Sequence, residues 1–334
     1  MPNSLVALTG STGRVGPYVA RELLRKGHSL RLLVRRPKEA ERLFAEWLAK
    51  GQVEIVHVDL VLAGESELTN MLKGCETLVH LAGLVDYTLP WEAFMLGNYE
   101  VTKKLAHSAK KAGIHRFVFA SSTAVYGNPR KEEPVGEHDE LKPVSPYGWS
   151  KFFAEDAVKR SGIEHVILRP CVIYGPGVEE GFVPTARAVQ KGKMKLIGSG
   201  ENRLPVVNAT DVARAFALAV DSPKARNQVF NVCGPVATQK EFLNLLAQEL
   251  HAPPVEKSIP NWLAFLGAVL EETKAKLSKR KPKLIREHVR VFSEDREFST
   301  KHLEKTLGWK ARVAPREGIR EFVKWFKSSS QVRA

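Results

Sequence analysis

Tyr147 and Lys151 stand four residues apart in Tyr147-Gly148-Trp149-Ser150-Lys151. On a helix they share one face, one turn from each other. A free phenol titrates near pKa ~10, too high for efficient proton transfer at neutral pH. A neighbouring ammonium favours the phenolate and lowers that value. The pair is suited to pass a proton to or from an alcohol or a ketone. Ser122 closes the strand that precedes this helix. Its hydroxyl can hydrogen-bond the oxygen that Tyr147 protonates or deprotonates. Such a pair also occurs on plain solvated helix faces, and a serine at a strand end is by default a turn residue. The elements that position the three groups therefore carry the argument.

Leu5 to Leu8 reads as a short buried strand. Thr9-Gly10-Ser11-Thr12-Gly13-Arg14-Val15-Gly16 follows, and a helical pattern runs from Val15 to Arg25. A glycine-rich turn from strand to helix lets backbone N–H groups approach a pyrophosphate at the helix N-terminus. The spacing is GxxGxxG rather than GxGxxG, but strand before, helix after and a second strand from Ser29 to Val34 supply the dinucleotide-site context. That second strand ends in Val34-Arg35-Arg36 with no acid to hold a ribose 2′-hydroxyl. Arginine there suits a 2′-phosphate, so NADP is expected ahead of NAD.

Helices over Ala40–Lys50, Glu65–Leu72 and Trp91–Ala112 alternate with strands over Val53–Val58, Thr77–Leu81 and Arg116–Ala120. Such alternation predicts an α/β fold with a doubly wound parallel sheet, Rossmann-like. Ligands of these sheets bind outside the carboxyl ends of the strands. Gly10, Arg35, Asp59, Ala82 and Ser122 all fall at such ends, which points to one site.

Three segments together resemble the extended short-chain dehydrogenase/reductase family, the group of NAD-dependent epimerases/dehydratases. They are Thr9 to Gly16, Ala120-Ser121-Ser122-Thr123-Ala124-Val125-Tyr126-Gly127, and Tyr147 to Lys151. His80-Leu81-Ala82-Gly83, Asn98 in Gly97-Asn98-Tyr99, Leu168 to Gly177 and Val206 to Ala213 agree, so the likeness covers nearly the whole chain. The resemblance implies Ser122, Tyr147 and Lys151 as the catalytic set, with Asn98 supporting Lys151 through water. It implies Gly10, Ser11, Thr12, Gly13, Arg14, Val15 and Gly16 around the pyrophosphate, with Arg35 and Arg36 near the adenosine ribose. Asp59 and Leu60 would meet the adenine. Leu81, Ala82, Gly83, Ala120, Pro170, Cys171, Val172 and Ile173 would line the cofactor on the nicotinamide side. Val85, Ser122, Thr123, Tyr147 and Tyr174 would face substrate. The family also implies a Rossmann domain over residues 1–175. A smaller C-terminal substrate-binding lobe over 176–330 would partly return to the sheet. Dimers built from the Trp91–Ala112 and Tyr147–Arg160 helices are a family expectation as well.

Beyond Gly175 the alternation weakens. Helices are expected over Phe182–Lys191, Thr210–Val220, Thr238–Leu250, Lys301–Trp309 and Pro315–Lys327, and a strand over Val229–Val232. Nucleotide-sugar members of the family commonly carry an arginine within GxGxxxR. In Gly198-Ser199-Gly200-Glu201-Asn202-Arg203-Leu204, leucine stands at that place and Arg203 is one residue early. On a strand that shift turns the side chain to the opposite face. The substrate expected is therefore an apolar alcohol or ketone, as in the reductase and hydroxysteroid-dehydrogenase-like branch. A nucleotide-sugar epimerase with tightly held NAD and a non-catalytic cofactor-binding protein are the alternatives. The apolar run Trp262–Leu270 precedes the basic run Lys274–Lys283. It is read as a lobe helix covering the substrate pocket, with weak peripheral membrane contact as the alternative.

The net charge of +14 favours anionic ligands such as phosphates. No zinc-finger spacing or RNP-like motif points to nucleic acid, and no metal site is expected. Three cysteines without a CxxC pattern fit a reducing compartment. No run approaches the ~20 apolar residues of a membrane span. The first strand begins almost at once, with no signal peptide before it, so a cytoplasmic protein is expected.

Overall fold

The computed structural model describes residues 4–129, 133–179, 181–278 and 280–332. Lys279, inside the basic run, lies outside the described residues. Six strands alternate with helices in the first half: β1 (Leu5–Thr9), β2 (Ser29–Val34), β3 (Val53–His57), β4 (Thr77–His80), β5 (Arg116–Ala120) and β6 (Glu164–Pro170). They pair in parallel with a seventh strand, Gln228–Val232, in the order Gln228–Val232, β6, β5, β4, β1, β2, β3. Helices lie on both faces, so each strand must be apolar on both sides. In β1, Val6 and Leu8 enter one core and Ala7 the other. The order reverses between β4 and β1, and that opens a crevice at the strand ends.

The C-terminal half does not separate cleanly. Gln228–Val232 completes the main sheet beside β6, and the helix Ala209–Asp221 packs against the first helix, Gly16–Arg25. A third core joins Phe182, Phe242, Phe322 and Phe326, and holds the lobe helices Phe182–Gln190, Gln239–Leu250 and Pro315–Val332 together. Thr238 and Glu241 form a reciprocal capping box at the start of Gln239–Leu250.

Several boundaries differ from those the pattern predicts. The second helix starts at Pro37, because proline is tolerated in a first helical turn. The long helix from Trp91 carries a π-helical turn at Met95–Glu100 before it continues as Val101–Lys111. The helix from Lys301 stops at Leu307, where Gly308 takes a left-handed conformation and Trp309 turns into the core. The strongest correction concerns Trp262. Its helix spans Asn261–Leu277, and a further helix, Arg286–Ser293, stands between it and the cavity.

The helix Pro146–Arg160 begins with Ser145 accepting from the Gly148 N–H at 3.1 Å and with Pro146 in the first turn. Further along, Glu155 meets Arg169 of β6 through two hydrogen bonds of 2.6 and 2.8 Å, and both side chains are 2% exposed. Ser121 donates to the same carboxylate, and Arg169 also donates to Tyr126. Burial would raise the Glu155 carboxyl, but Arg169 holds it below its ordinary value. Removing one partner of such a pair leaves a buried charge. Arg169→Met should therefore cost about 3–5 kcal/mol in urea unfolding at neutral pH. In the parent protein the depressed carboxyl value makes the pair's stabilisation complete above the unfolded value of ~4.3. That stabilisation is lost as pH falls through the lower folded value, so the two proteins should converge in acid.

Candidate active site

One cavity of about 780 Å³ runs along the carboxyl ends of the strands. At one end stand Gly10, Thr12, Gly13, Arg14, Val15 and Gly16, with Arg35, Arg36, Asp59 and Leu60 beside them. The turn is tight. Gly13 donates to the Gly10 carbonyl at 2.9 Å. Gly10 has φ +76°, and a Cβ there would meet the Ala82 amide nitrogen at 2.6 Å. A Cβ on Gly16 would collide with the Gly10 carbonyl. The turn thus packs against the loop after β4 while the first helix starts at its edge. Arg36 pairs with Glu39 at 3.1 Å, whereas Arg35 is exposed and has no ion-pair partner among the described residues.

Leu81, Ala82, Gly83, Ala120, Pro170, Cys171, Val172 and Ile173 form the middle of the wall. Ser122, Thr123, Tyr147 and Lys151 face the same space, so the tyrosine, the lysine and the serine converge on one cavity from two elements. Lys151 is buried and donates to the Ala120 carbonyl at 2.8 Å, with its Nζ 4.9 Å from the centre of the Phe119 ring. Burial lowers its pKa to about 8, opposed by Glu155 one turn on. Ser122 accepts from the Ala124 N–H at 3.1 Å and caps a short 3₁₀ turn, Thr123–Tyr126. Tyr147 is held edge-on by Tyr87 and Phe94, with ring centres 5.4 and 6.0 Å away.

Asn98 is 1% exposed and lies behind this wall. It accepts from Leu84 N–H at 2.7 Å and donates to Leu84 O and to Ser150 Oγ, both at 3.0 Å. A Cβ on Gly83 would lie 3.1 Å from Asn98 Oδ1 and 3.3 Å from Lys151 Nζ, so both side chains close on the place a side chain there would take. The π-helical turn projects Asn98 toward the loop. Beneath it, His80 spans Thr9 Oγ1 at 2.7 Å and Thr102 Oγ1 at 3.0 Å. Burial, aided by Lys151, drives its pKa to about 3, so the imidazole is neutral.

Two further residues expected at the site also lie outside the cavity wall. Ser11 points inward and its hydroxyl has no hydrogen-bond partner among the described residues. Tyr174 packs into the lobe core against Phe182 and Phe242, because it is the alternate residue to Ile173 on a short strand. Val85 does line the cavity.

The substrate end includes groups that the sequence did not single out: Asp86 and Tyr87, and from Arg286–Ser293 and just beyond, His288, Phe292 and Arg296. Burial opposes the charge on Asp86, yet hydrogen bonds from Thr88 and Lys281 hold its pKa at about 2. The Arg296 side chain is 11% exposed, and its Nε has no hydrogen-bond partner among the described residues; Glu294 is 3.8 Å away. Arg296 lines the cavity. The only hint in sequence is Ile285, Val289 and Phe292 at helical spacing. Arg203 turns away, to Asp295 at 2.6 Å and to Glu297, while Leu204 enters the lobe core.

The family model described as the NAD dependent epimerase/dehydratase family matches residues 6–233. The chain belongs to that family. Its members are enzymes that work with a nicotinamide dinucleotide. The chain is similar to UDP-glucose 4-epimerase of Vibrio cholerae, 30% identical over 98% of this chain and 96% of the relative. It is also similar to 2-alkyl-3-oxoalkanoate reductase of Stenotrophomonas maltophilia, 23% identical over 94% and 97%. The crystal structure of gox2253 superposes with a TM-score of 0.80 at 26% identity, covering 98% of this chain and 99% of the other. The family's dinucleotide fits the wall described here: a glycine turn at a helix start, a free arginine at the end of β2, and an apolar middle.

The Gly10 geometry is testable without any ligand. Gly10→Ala places a side chain at positive φ against backbone, and should lose about 1–3 kcal/mol in urea unfolding. Gly64→Ala, where a Cβ meets nothing within 4 Å, should be close to neutral. Equal effects would remove the packing role given to the turn.

Proposed function

We propose that the protein is an NADP(H)-preferring oxidoreductase that interconverts a secondary alcohol and a ketone on a largely apolar molecule. One observation carries this reading: Ser122, Tyr147 and Lys151 face a single cavity with the glycine turn, and that cavity as a whole is lined mainly by apolar residues. The dinucleotide supplies or takes up the hydride when bound. In the reducing direction, Tyr147 gives its hydroxyl proton to the carbonyl oxygen as the carbon gains the hydride. Ser122 orients that oxygen by hydrogen bonding. Lys151 stabilises the phenolate left behind and holds the nicotinamide ribose. Asn98 acts on Lys151 indirectly, by fixing Gly83 and Leu84. Arg296 would hold an acidic group on the substrate.

The free guanidinium of Arg35 supports NADP over NAD, since the strand end bears no acid. Leu204 in the lobe core and Arg203 bound to Asp295 and Glu297 support a substrate other than a nucleotide sugar. The similarity to a UDP-glucose 4-epimerase favours a second reading, a nucleotide-sugar epimerase on the same residues. We also place the protein in the cytoplasm as a homodimer. Buried free thiols and the exposed Trp91 and Leu96 support that assignment.

Tyr147→Phe should cut turnover about 10²–10⁴-fold, as expected for loss of a positioned acid/base, while dinucleotide affinity stays within a few-fold. Steady-state kinetics with a panel of apolar ketones and fluorescence titration of NADPH check this. Unchanged turnover refutes the role. In the same assays Arg35→Ser should raise KM for NADPH and leave that for NADH nearly unchanged. Dinucleotide that stays bound through purification, with turnover of UDP-sugars and none added, would establish the epimerase instead.

A further inference from the structure

The helix Asn261–Leu277 is built inside out. Its inner face is alanine: Ala264, Ala268 and Ala275 are at most 3% exposed. The first two join Val289 in a small core. Half-buried Phe265 packs beside them, but the other large apolar side chains face outward. Trp262 is 68% exposed, Leu270 62% and Leu277 82%, with Leu266 and Val269 between them. Positions 262, 266, 269, 270 and 277 follow helical spacing and make one stripe along some 25 Å of helix. Burying apolar area stabilises a fold by about 25 cal/mol per Å². A helix serving the fold alone would turn tryptophan and leucine in and alanine out.

Charge decides what covers the stripe. The helix's two carboxylates are both engaged, Glu271 by Arg280 at 2.8 Å and Glu272 by Arg286 at 2.9 Å. Lys274 and Lys276 are exposed on the last turns and have no ion-pair partner among the described residues; exposed Lys283 follows. An apolar stripe bordered by unneutralised lysines is complementary to acyl chains beneath anionic headgroups. A contact between copies would set two surfaces of the same sign against each other, on a chain already at +14. No helix among the described residues is long and apolar enough to cross a membrane, so the contact lies in the plane of the surface.

We propose that Asn261–Leu277 is a docking surface for an anionic lipid bilayer. Trp262, Leu266 and Leu270 enter the acyl boundary, and Lys274, Lys276 and Lys283 rest on the headgroups. The helix Arg286–Ser293 packs on it, and His288 and Phe292 of that helix line the cavity. The bilayer would thus sit one helix layer from the substrate end. Lipid binding itself does not depend on the chemistry assigned to Tyr147.

The test is flotation of the full chain with vesicles of phosphatidylcholine alone or mixed with phosphatidylglycerol. Sedimentation velocity runs beside it. The protein should float with the anionic vesicles and be released by salt. Trp262 emission should shift to the blue, and Trp262→Phe should remove that shift. Lys274→Glu with Lys276→Glu should weaken anionic binding at least ~tenfold. Leu266→Glu with Leu270→Glu should abolish it, with melting temperature and NADPH affinity unchanged. A folded protein that stays unbound at every phosphatidylglycerol fraction overturns the proposal. So does a leucine double variant that still floats but no longer self-associates, which would assign the stripe to a second copy.

Discussion

Glu155 and Arg169 meet inside the protein, and the position of the proton-transfer residues follows from that meeting. The carboxylate belongs to the helix that carries Tyr147 and Lys151, and the guanidinium belongs to β6. Two charges out of water cannot tolerate a loose geometry, because each is costly unless fully paired. The pair therefore fixes the rotation and height of the helix against the sheet. Ser121, beside Ser122, donates to the same carboxylate, so the end of β5 is held in the same frame. Lys151 then reaches the Ala120 carbonyl one turn earlier along the helix. Preorganisation of this kind is what a proton donor, an orienting hydroxyl and an ammonium need if they are to meet one oxygen.

The dinucleotide end rests on a different constraint, the contact between two backbones. Gly10 and the Ala82 amide are close enough to exclude any side chain. The turn and the loop after β4 can therefore only move together. Asn98 holds Leu84, two residues on in that loop, and neutral His80 ties Thr9 to Thr102 under it. A charged imidazole would find no compensating acid among the described residues, and its low pKa keeps the link intact across the neutral range. The cofactor end and the proton-transfer end are thus parts of one rigid wall.

The substrate end is less tightly held. Its inner side is the phenylalanine core of the lobe, and its outer side is the Arg286–Ser293 helix with Arg296 just beyond. That outer side leans on a helix whose contact to the lobe is small and alanine-lined. Lys281 reaches Asp86 at 2.9 Å and joins this layer to the loop beside Tyr87 and Tyr147.

The amino-acid sequence by itself determined the parallel sheet, the glycine turn, the strand ends and the Tyr147, Lys151 and Ser122 set. Each of these is local: apolar runs, glycine spacing and a four-residue interval are visible along a single segment. The sequence also determined that Arg203 could not take the place of its neighbour, because alternation on a strand is local too. Only the tertiary structure decided that Tyr174 and Ser11 face away from the cavity, since a one-residue phase on a short strand or turn is set by packing. It alone paired Glu155 with Arg169, fourteen residues apart across two elements. It alone brought His288 against Tyr87, set Phe292 and Arg296 along the same cavity, and turned Trp262 outward. Amphipathic periodicity names the apolar face of a helix, but what that face meets depends on residues far away in the chain, and distance in sequence carries no period to read.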